Sequence, residues 1–295
     1  MEALKIPTRI TLKNILLTTD FSETSKTALP YALAIAHLYD AGVSVAHVVN
    51  PEPALGVPMD ALPRAADPAW LHARKYMEEF MAEPWPADIR RETLVQRGDL
   101  WSVISGMIEK NSIDLLVAGT HGRYGLTKLV LGSSAEQLYR QAPCPVLTVG
   151  PNVPHPGKRP WKPERIVYAT DFSPHSGCAL PYALSLAEEN QGALMFVHAL
   201  GLIPWQEQKV LEKEFRQKLE QLMPEDAAAW CRAEFVVCFD DPVEGILNLA
   251  TEQKADLIVM GIKRFTGSGW SGHLPWSTAS EVVGRATCPV LTVRG

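Results

Sequence analysis

The chain states one pattern twice. Thr19-Asp20-Phe21-Ser22 returns as Thr170-Asp171-Phe172-Ser173, and Ala28-Leu29-Pro30-Tyr31-Ala32-Leu33 returns as Ala179-Leu180-Pro181-Tyr182-Ala183-Leu184, both at an offset of 151 residues. Each half also closes alike, on Cys144-Pro145-Val146-Leu147-Thr148-Val149 and Cys288-Pro289-Val290-Leu291-Thr292-Val293. Solenoid repeats recur at roughly 20 to 50 residues, so a period this long means two copies of a whole domain. A length of 295 residues suits two domains. The expected division is a first domain over 1–150, a linker over 151–163 and a second domain over 164–295. The linker run Gly150 to Pro160 holds four prolines, which fix φ and remove donors, so a stiff extended connector is expected.

Within each copy the strands read as short, continuous apolar runs: Ile15 to Thr19, Val43 to Val49 and Leu115 to Ala118 in the first half. Strands apolar on both faces belong to a parallel sheet covered by helices on each side. Helical patterns lie between them, over Thr24 to Tyr39, Pro68 to Met81, Leu100 to Lys110 and Ser133 to Gln141. Ile89 to Gln96 alternates like an outer strand, and Val146 to Val149 is the last strand. The order β-α-β-α-β-α-β-α-β is a doubly wound, Rossmann-like α/β domain with a five-stranded parallel sheet. The second half repeats it from Arg165 to Val293. The two closing strands are short, apolar and nearly identical, and an open edge of that kind invites association. Pairing them antiparallel would turn the chain into an intramolecular pseudo-dimer; further pairing of whole chains is left open.

A net charge of −5 gives no electrostatic footprint for nucleic acid or an anionic membrane surface. Met1 to Lys13 lacks the apolar core of a signal peptide, and no apolar run approaches the roughly 20 residues of a spanning helix. A soluble, cytoplasmic protein is therefore expected. The five cysteines, an odd number without Cys-x2-Cys spacing, read as free and mostly buried thiols. His47 and His198, inside the second strand of each half, read as core histidines with satisfied nitrogens. Trp101, Trp161, Trp205 and Trp230 read as packing residues, and Glu207 to Glu220 as a solvated helix face.

Chemistry gathers in the loop after the fourth strand. It reads Gly119-Thr120-His121-Gly122, then nine residues, then Gly132-Ser133-Ser134. Glycines let backbone approach a ligand closely, and Gly132 leads into a helix whose first turn offers unpaired N–H groups to phosphate. The same serines equally suit plain N-capping, with Glu136 and Gln137 completing capping boxes. In a doubly wound sheet the ligand lies beyond the carboxyl ends of the strands, where Asp20, Val48 and Gly119 fall.

Gly-x2-Gly-x9-Gly-Ser-Ser, with Thr-Thr-Asp-Phe-Ser, Ala-His-Val and the closing Cys-Pro-Val-Leu-Thr-Val, resembles the universal stress protein family over essentially the whole chain, as a tandem member. The resemblance implies ATP as ligand. Asp20 would contact the ribose or the adenine edge, and Val48 would offer backbone groups to adenine. Gly119, His121 and Gly122 would wrap the ribose and phosphates. Gly132, Ser133 and Ser134 would hold the β- and γ-phosphates, with a divalent metal such as Mg alongside. It also implies a regulatory stress-response role, with slow hydrolysis or autophosphorylation as a variant and the regulated protein partner unspecified. An ATP-hydrolysing or adenylating enzyme of a related fold is the rival reading, disfavoured because Asp20-Phe21-Ser22-Glu23 holds no glycine and Gly-x4-Gly-Lys-Ser is missing. A ligand-free interaction scaffold is the third. The second half keeps Asp171 and Gly261 but places Arg264 at the position of Gly122 and Trp276 at that of Gly132. That site is expected to be degenerate for ATP.

Overall fold

A computed structural model describes residues 9–49, 68–82, 85–120, 133–157, 160–224, 231–263 and 276–295, with side chains left out for 133–135 and 276–277. The first half runs β1 (Asn14–Thr18), α1 (Glu23–Tyr39), β2 (Gly42–Val49), α2 (Pro68–Met81), β3 (Arg91–Arg97), α3 (Leu100–Lys110), β4 (Leu115–Gly119), α4 (Ser133–Gln141) and β5 (Val146–Val149). The second half runs β6 (Arg165–Ala169), α5 (Pro174–Gly177), α6 (Leu180–Asn190), β7 (Ala193–Ala199), α7 (Trp205–Glu220), β8 (Arg232–Cys238), α8 (Pro242–Glu252), β9 (Leu257–Ile262), α9 (Trp276–Arg285) and β10 (Val290–Arg294).

All ten strands form one sheet in the order β3-β2-β1-β4-β5-β10-β9-β6-β7-β8. Pairing is parallel within each half and antiparallel at the junction, where Leu147 faces Leu291, Thr148 faces Val290 and Val146 faces Thr292. The expected pseudo-dimer is therefore a continuous sheet. Period-two alternation explains why the strands read as unbroken apolar runs. Ile15 and Leu17 point into one core, with α1, α2, α6 and α7, while Leu16 points into the other, with α3, α4, α8 and α9. Both cores hold residues of both halves, so no seam separates the domains. The free edges have moved outward to β3 and β8. These carry Arg91, Glu92 and Arg97, and Arg232 and Glu234, charges that discourage further strand addition.

Three features depart from the simple repeat. Where α1 is continuous, the second half breaks into α5 and α6 around Cys178 and Ala179. Both copies carry the internal proline, but Gly177 stands where the first has Lys26, and glycine disfavours a helix interior by about 1 kcal/mol. The linker is not simply extended. It opens with a turn in which Val153 N–H donates to Gly150 O, buries Val153, and accepts a 2.7 Å bond from Tyr31 Oη at Pro154 O. Trp161 then meets Tyr31 edge to face at 5.0 Å. Finally, Trp101 packs against the second core as expected, but Trp205 stands 77% exposed at the start of α7; Trp230 lies outside the described residues.

The halves also cap each other. Arg294 Nη1, in β10, donates to Gln141 O at the end of α4. Asn152 Nδ2, beyond β5, donates to Gly284 O and Arg285 O at the end of α9. These bonds satisfy carbonyls that a helix leaves open at its last turn. Tyr139 of α4 and Ser280 of α9 share a hydroxyl–hydroxyl bond across the same interface.

Leu147 is fully buried and paired on both sides, to Val117 and Leu291. Replacing it with proline removes a central-strand donor, and we expect a loss of at least about 3 kcal/mol by urea denaturation. A loss below about 1 kcal/mol would be incompatible with a strand in that position.

Candidate functional site

The strand order reverses between β1 and β4, so the crevice beyond their carboxyl ends is the switch point of the first half. Asp20 follows β1 there and is exposed, Gly119 ends β4 beside it, and Val48 lies near the end of β2. Ser133 is the first residue of α4. His121, Gly122 and Gly132 lie outside the described residues, and so do the side chains of Ser133 and Ser134. Glu136, the expected partner of Ser133 in a capping box, pairs with Arg140 at 2.6 Å.

The loop carrying Asp20 is held rigidly. Phe21 has φ 64°, a left-handed conformation that a bulky residue adopts at a cost of order 1–3 kcal/mol. Its N–H donates to Thr19 Oγ1 at 3.0 Å, and Thr19 Oγ1 bonds Ser25 Oγ at 2.9 Å. Asp20 Oδ1 accepts from the amide of Ser22 at 3.1 Å and its hydroxyl at 2.6 Å, while Ser22 Oγ accepts from Ser25 N–H and caps α1. The second half reproduces this arrangement. Phe172 has φ 61°, its N–H meets Thr170 Oγ1 at 3.0 Å, and Asp171 Oδ1 accepts from Ser173 N–H at 2.9 Å. Burial works against ionisation of Asp171, but hydrogen bonds from Ser173 and Ser176 outweigh it and hold the carboxyl below its ordinary range.

Gly119 has a reason for being glycine that the sequence did not reveal. A Cβ there would stand 2.7 Å from Thr24 O and 2.8 Å from Ser25 Cα, so β4 runs into the first turn of α1. Gly261 abuts His175 and Ser176 in the same way. Close packing inside the domain, present in both halves, requires these two glycines with or without a ligand.

His47 and His198 are half-buried, and each has Nδ1 satisfied by a backbone carbonyl, in keeping with the packing role read from sequence. Their Nδ1 atoms lie 2.7 Å from Thr19 O and 2.8 Å from Thr170 O. A carbonyl can only accept, so Nδ1 carries the proton. Burial lowers the pKa of both rings, with the carbonyl and the neighbouring aspartate opposing it. His47 rests on Phe21 at 4.4 Å, and His198 on Phe172 at 4.7 Å and Phe215 at 4.8 Å.

A family model for the universal stress protein family matches residues 11–150 and again 163–294. The chain belongs to the universal stress protein family. Universal stress protein MJ0531 of Methanocaldococcus jannaschii is 36% identical over 147 residues, covering 46% of this chain and 81% of its own. A universal stress protein of Mycolicibacterium smegmatis is 26% identical over 302 residues, covering 95% and 96%. The crystal structure of a universal stress protein from Archaeoglobus fulgidus superposes with a TM-score of 0.70 at 22% identity, covering 95% of this chain and 98% of that one. The tandem architecture is thus shared along the full length. Among the described residues no helix is long and apolar enough to cross a membrane. The cysteines are free, with Cys144, Cys231 and Cys288 buried and Cys178 exposed.

The two histidines give the fold a pH dependence. Their folded pKa values lie below the ordinary value near 6.5, so the unfolded chain binds more protons as pH falls past that point. Stability is complete above about pH 6.5 and declines below it as the folded state resists protonation. We expect the urea midpoint to fall between pH 7 and pH 5, and the paired His47→Asn and His198→Asn variant to show a shallower decline. An identical slope in that variant would assign the effect elsewhere.

Proposed function

We propose that the first half binds ATP and that the chain acts as a cytoplasmic, nucleotide-responsive regulator of the stress-response type. The observation that carries this is positional. The Gly-x2-Gly-x9-Gly-Ser-Ser run begins on the last residue of β4, the strand beside β1 where the strand order reverses, and ends on the first turn of α4. A helix N-terminus reached through glycines suits a phosphate chain. On this reading Asp20 takes the ribose or adenine edge and the Val48 backbone takes adenine. Gly119, His121 and Gly122 line the ribose and phosphates, and Gly132, Ser133 and Ser134 hold the outer phosphates.

Among the described residues no group of three His, Cys, Asp or Glu could hold a metal ion. A divalent cation such as Mg would come with the nucleotide, and Ser133 and Ser134 are the residues that would help to hold it. When bound it would neutralise phosphate charge. The second half retains the Asp171 loop but carries Arg264 and Trp276 at two glycine positions, and on this reading binds no ATP.

Calorimetry with ATP, ADP, AMP and cAMP tests the proposal; cAMP is included because one family member has been crystallised in complex with it. We expect one ATP per chain. Gly132→Trp, which copies the second half's residue, should weaken ATP at least about tenfold, or roughly 1.4 kcal/mol. Two equivalent ATP sites would refute the asymmetry, and an unchanged affinity in the folded variant would refute the loop assignment.

A further inference from the structure

Parallel strands β1 and β2 stop pairing one rung before the site. Their register runs from Asn14 opposite Gly42 to Thr18 opposite Ala46. Even-numbered residues of β2 address β1: Gly42 N–H donates to Lys13 O, and Ala46 O accepts from Thr19 N–H. The next even residue is Val48. Continuation of the ladder would carry its N–H to Thr19 O. That oxygen accepts instead from the imidazole of His47, at 2.7 Å. The same substitution ends the β6–β7 ladder at Ala169 opposite Val197, where Thr170 O accepts from His198.

We propose that His47 is the positioning residue of the nucleotide site, acting by replacing this rung with its own side chain. The inference rests on the ATP reading above and goes further into it. Two consequences follow from the geometry. First, among the described residues Thr19 O takes the His47 bond and no bond from the Val48 N–H, which leaves that N–H to a ligand as a donor at the end of β2. Second, Asp20 is fixed from both sides. The peptide preceding it is held through Thr19 O, and the strained Phe21 following it packs against the imidazole at a tilt, with ring centroids 4.4 Å apart.

A lone backbone donor chooses among bases. Adenine presents an acceptor ring nitrogen on its pairing edge, whereas guanine presents N–H there. The rung that His47 withholds therefore sets a preference for adenine over guanine, while Asp20 takes the sugar.

Calorimetry on the full chain with ATP and GTP tests this. The wild type is expected to prefer ATP. His47→Leu allows Val48 to close on Thr19, so ATP affinity should fall at least about tenfold and the ATP-to-GTP ratio should narrow. His47→Asn restores a donor near the Nδ1 position and should return ATP affinity to within about threefold of wild type. His198→Leu removes the matching bond in the half without the glycine signature and should leave ATP affinity unchanged. An unaltered ATP-to-GTP ratio in His47→Leu, or an equal loss in His198→Leu, would reduce His47 to a structural residue and overturn the proposal. A wild type that binds neither nucleotide removes the ATP reading and this inference together, whereas a wild type that binds ATP beside an indifferent His47→Leu removes this inference alone. Should His47→Leu not fold, nitrogen-15 histidine spectra of the wild type decide. The Nδ1 proton of His47 should shift on addition of ATP while that of His198 stays, and a stationary His47 signal overturns the proposal.

Discussion

Three backbone pairings between β5 and β10 hold the architecture together. Each half is a parallel sheet with helices on both faces, and such a sheet leaves its last strand apolar above and below. Alone, that strand would be an open edge of Val, Leu and Thr. Joined antiparallel, the two edges vanish into the middle of a ten-stranded sheet, and among the described residues its edges are the charged β3 and β8. The rest follows from this junction. It brings α4 beside α9, where Tyr139 meets Ser280, and it brings the N-terminal arm and the end of α1 to α6, where Arg9 pairs with Glu188 at 2.9 Å and Tyr39 bonds Ser185 at 3.1 Å.

Much of this was legible in the sequence because it rests on short-range pattern. Doubly buried strands must be unbroken apolar runs, so β1, β2 and β4 announced themselves, and the repeat fixed the topology twice. The helices over 68–81 and 100–110 were placed by their apolar spacing. What escaped reading has long-range causes. Nothing near Asn152 or Arg294 says that each will cap a helix in the opposite half. Nothing near Tyr31 says that its hydroxyl will meet the linker at residue 154. The break between α5 and α6 had a local cause in Gly177, but a repeat encourages the eye to copy the first half onto the second.

The site shows the same division. Asp20, Val48, Gly119 and Ser133 were read from the ends of elements, and they do stand at or next to the ends of β1, β2, β4 and the start of α4. Gly119 has a second reason that the sequence did not show, since a Cβ there would meet Thr24 O. His47 was read correctly as satisfied. Its acceptor was beyond reach of the sequence, because which carbonyl an imidazole finds depends on the register of two strands. The duplicated strain at Phe21 and Phe172 adds a contrast. The aspartate loops persist in both halves because they also terminate a strand, cap a helix and seat an aromatic ring, whereas the glycine signature survives in one. The parts of the crevice that serve folding have been kept twice, Gly119 and Gly261 among them, while Gly122 and Gly132 have counterparts Arg264 and Trp276 in the second half.

The reciprocal caps carry a consequence for how the protein is made. The first half emerges from the ribosome with β5 unpaired and the end of α4 uncapped. Its partners for both, β10 and Arg294, belong to the closing strand of the second half and are synthesised only after the rest of that half. Domains generally fold as they emerge, N-terminal first. Here the early half reaches a nearly complete state and then waits, with an apolar strand open, while the other half is translated. That interval is when the nascent chain is most prone to pair with a neighbour's β5, and its length is set by the pace of translation.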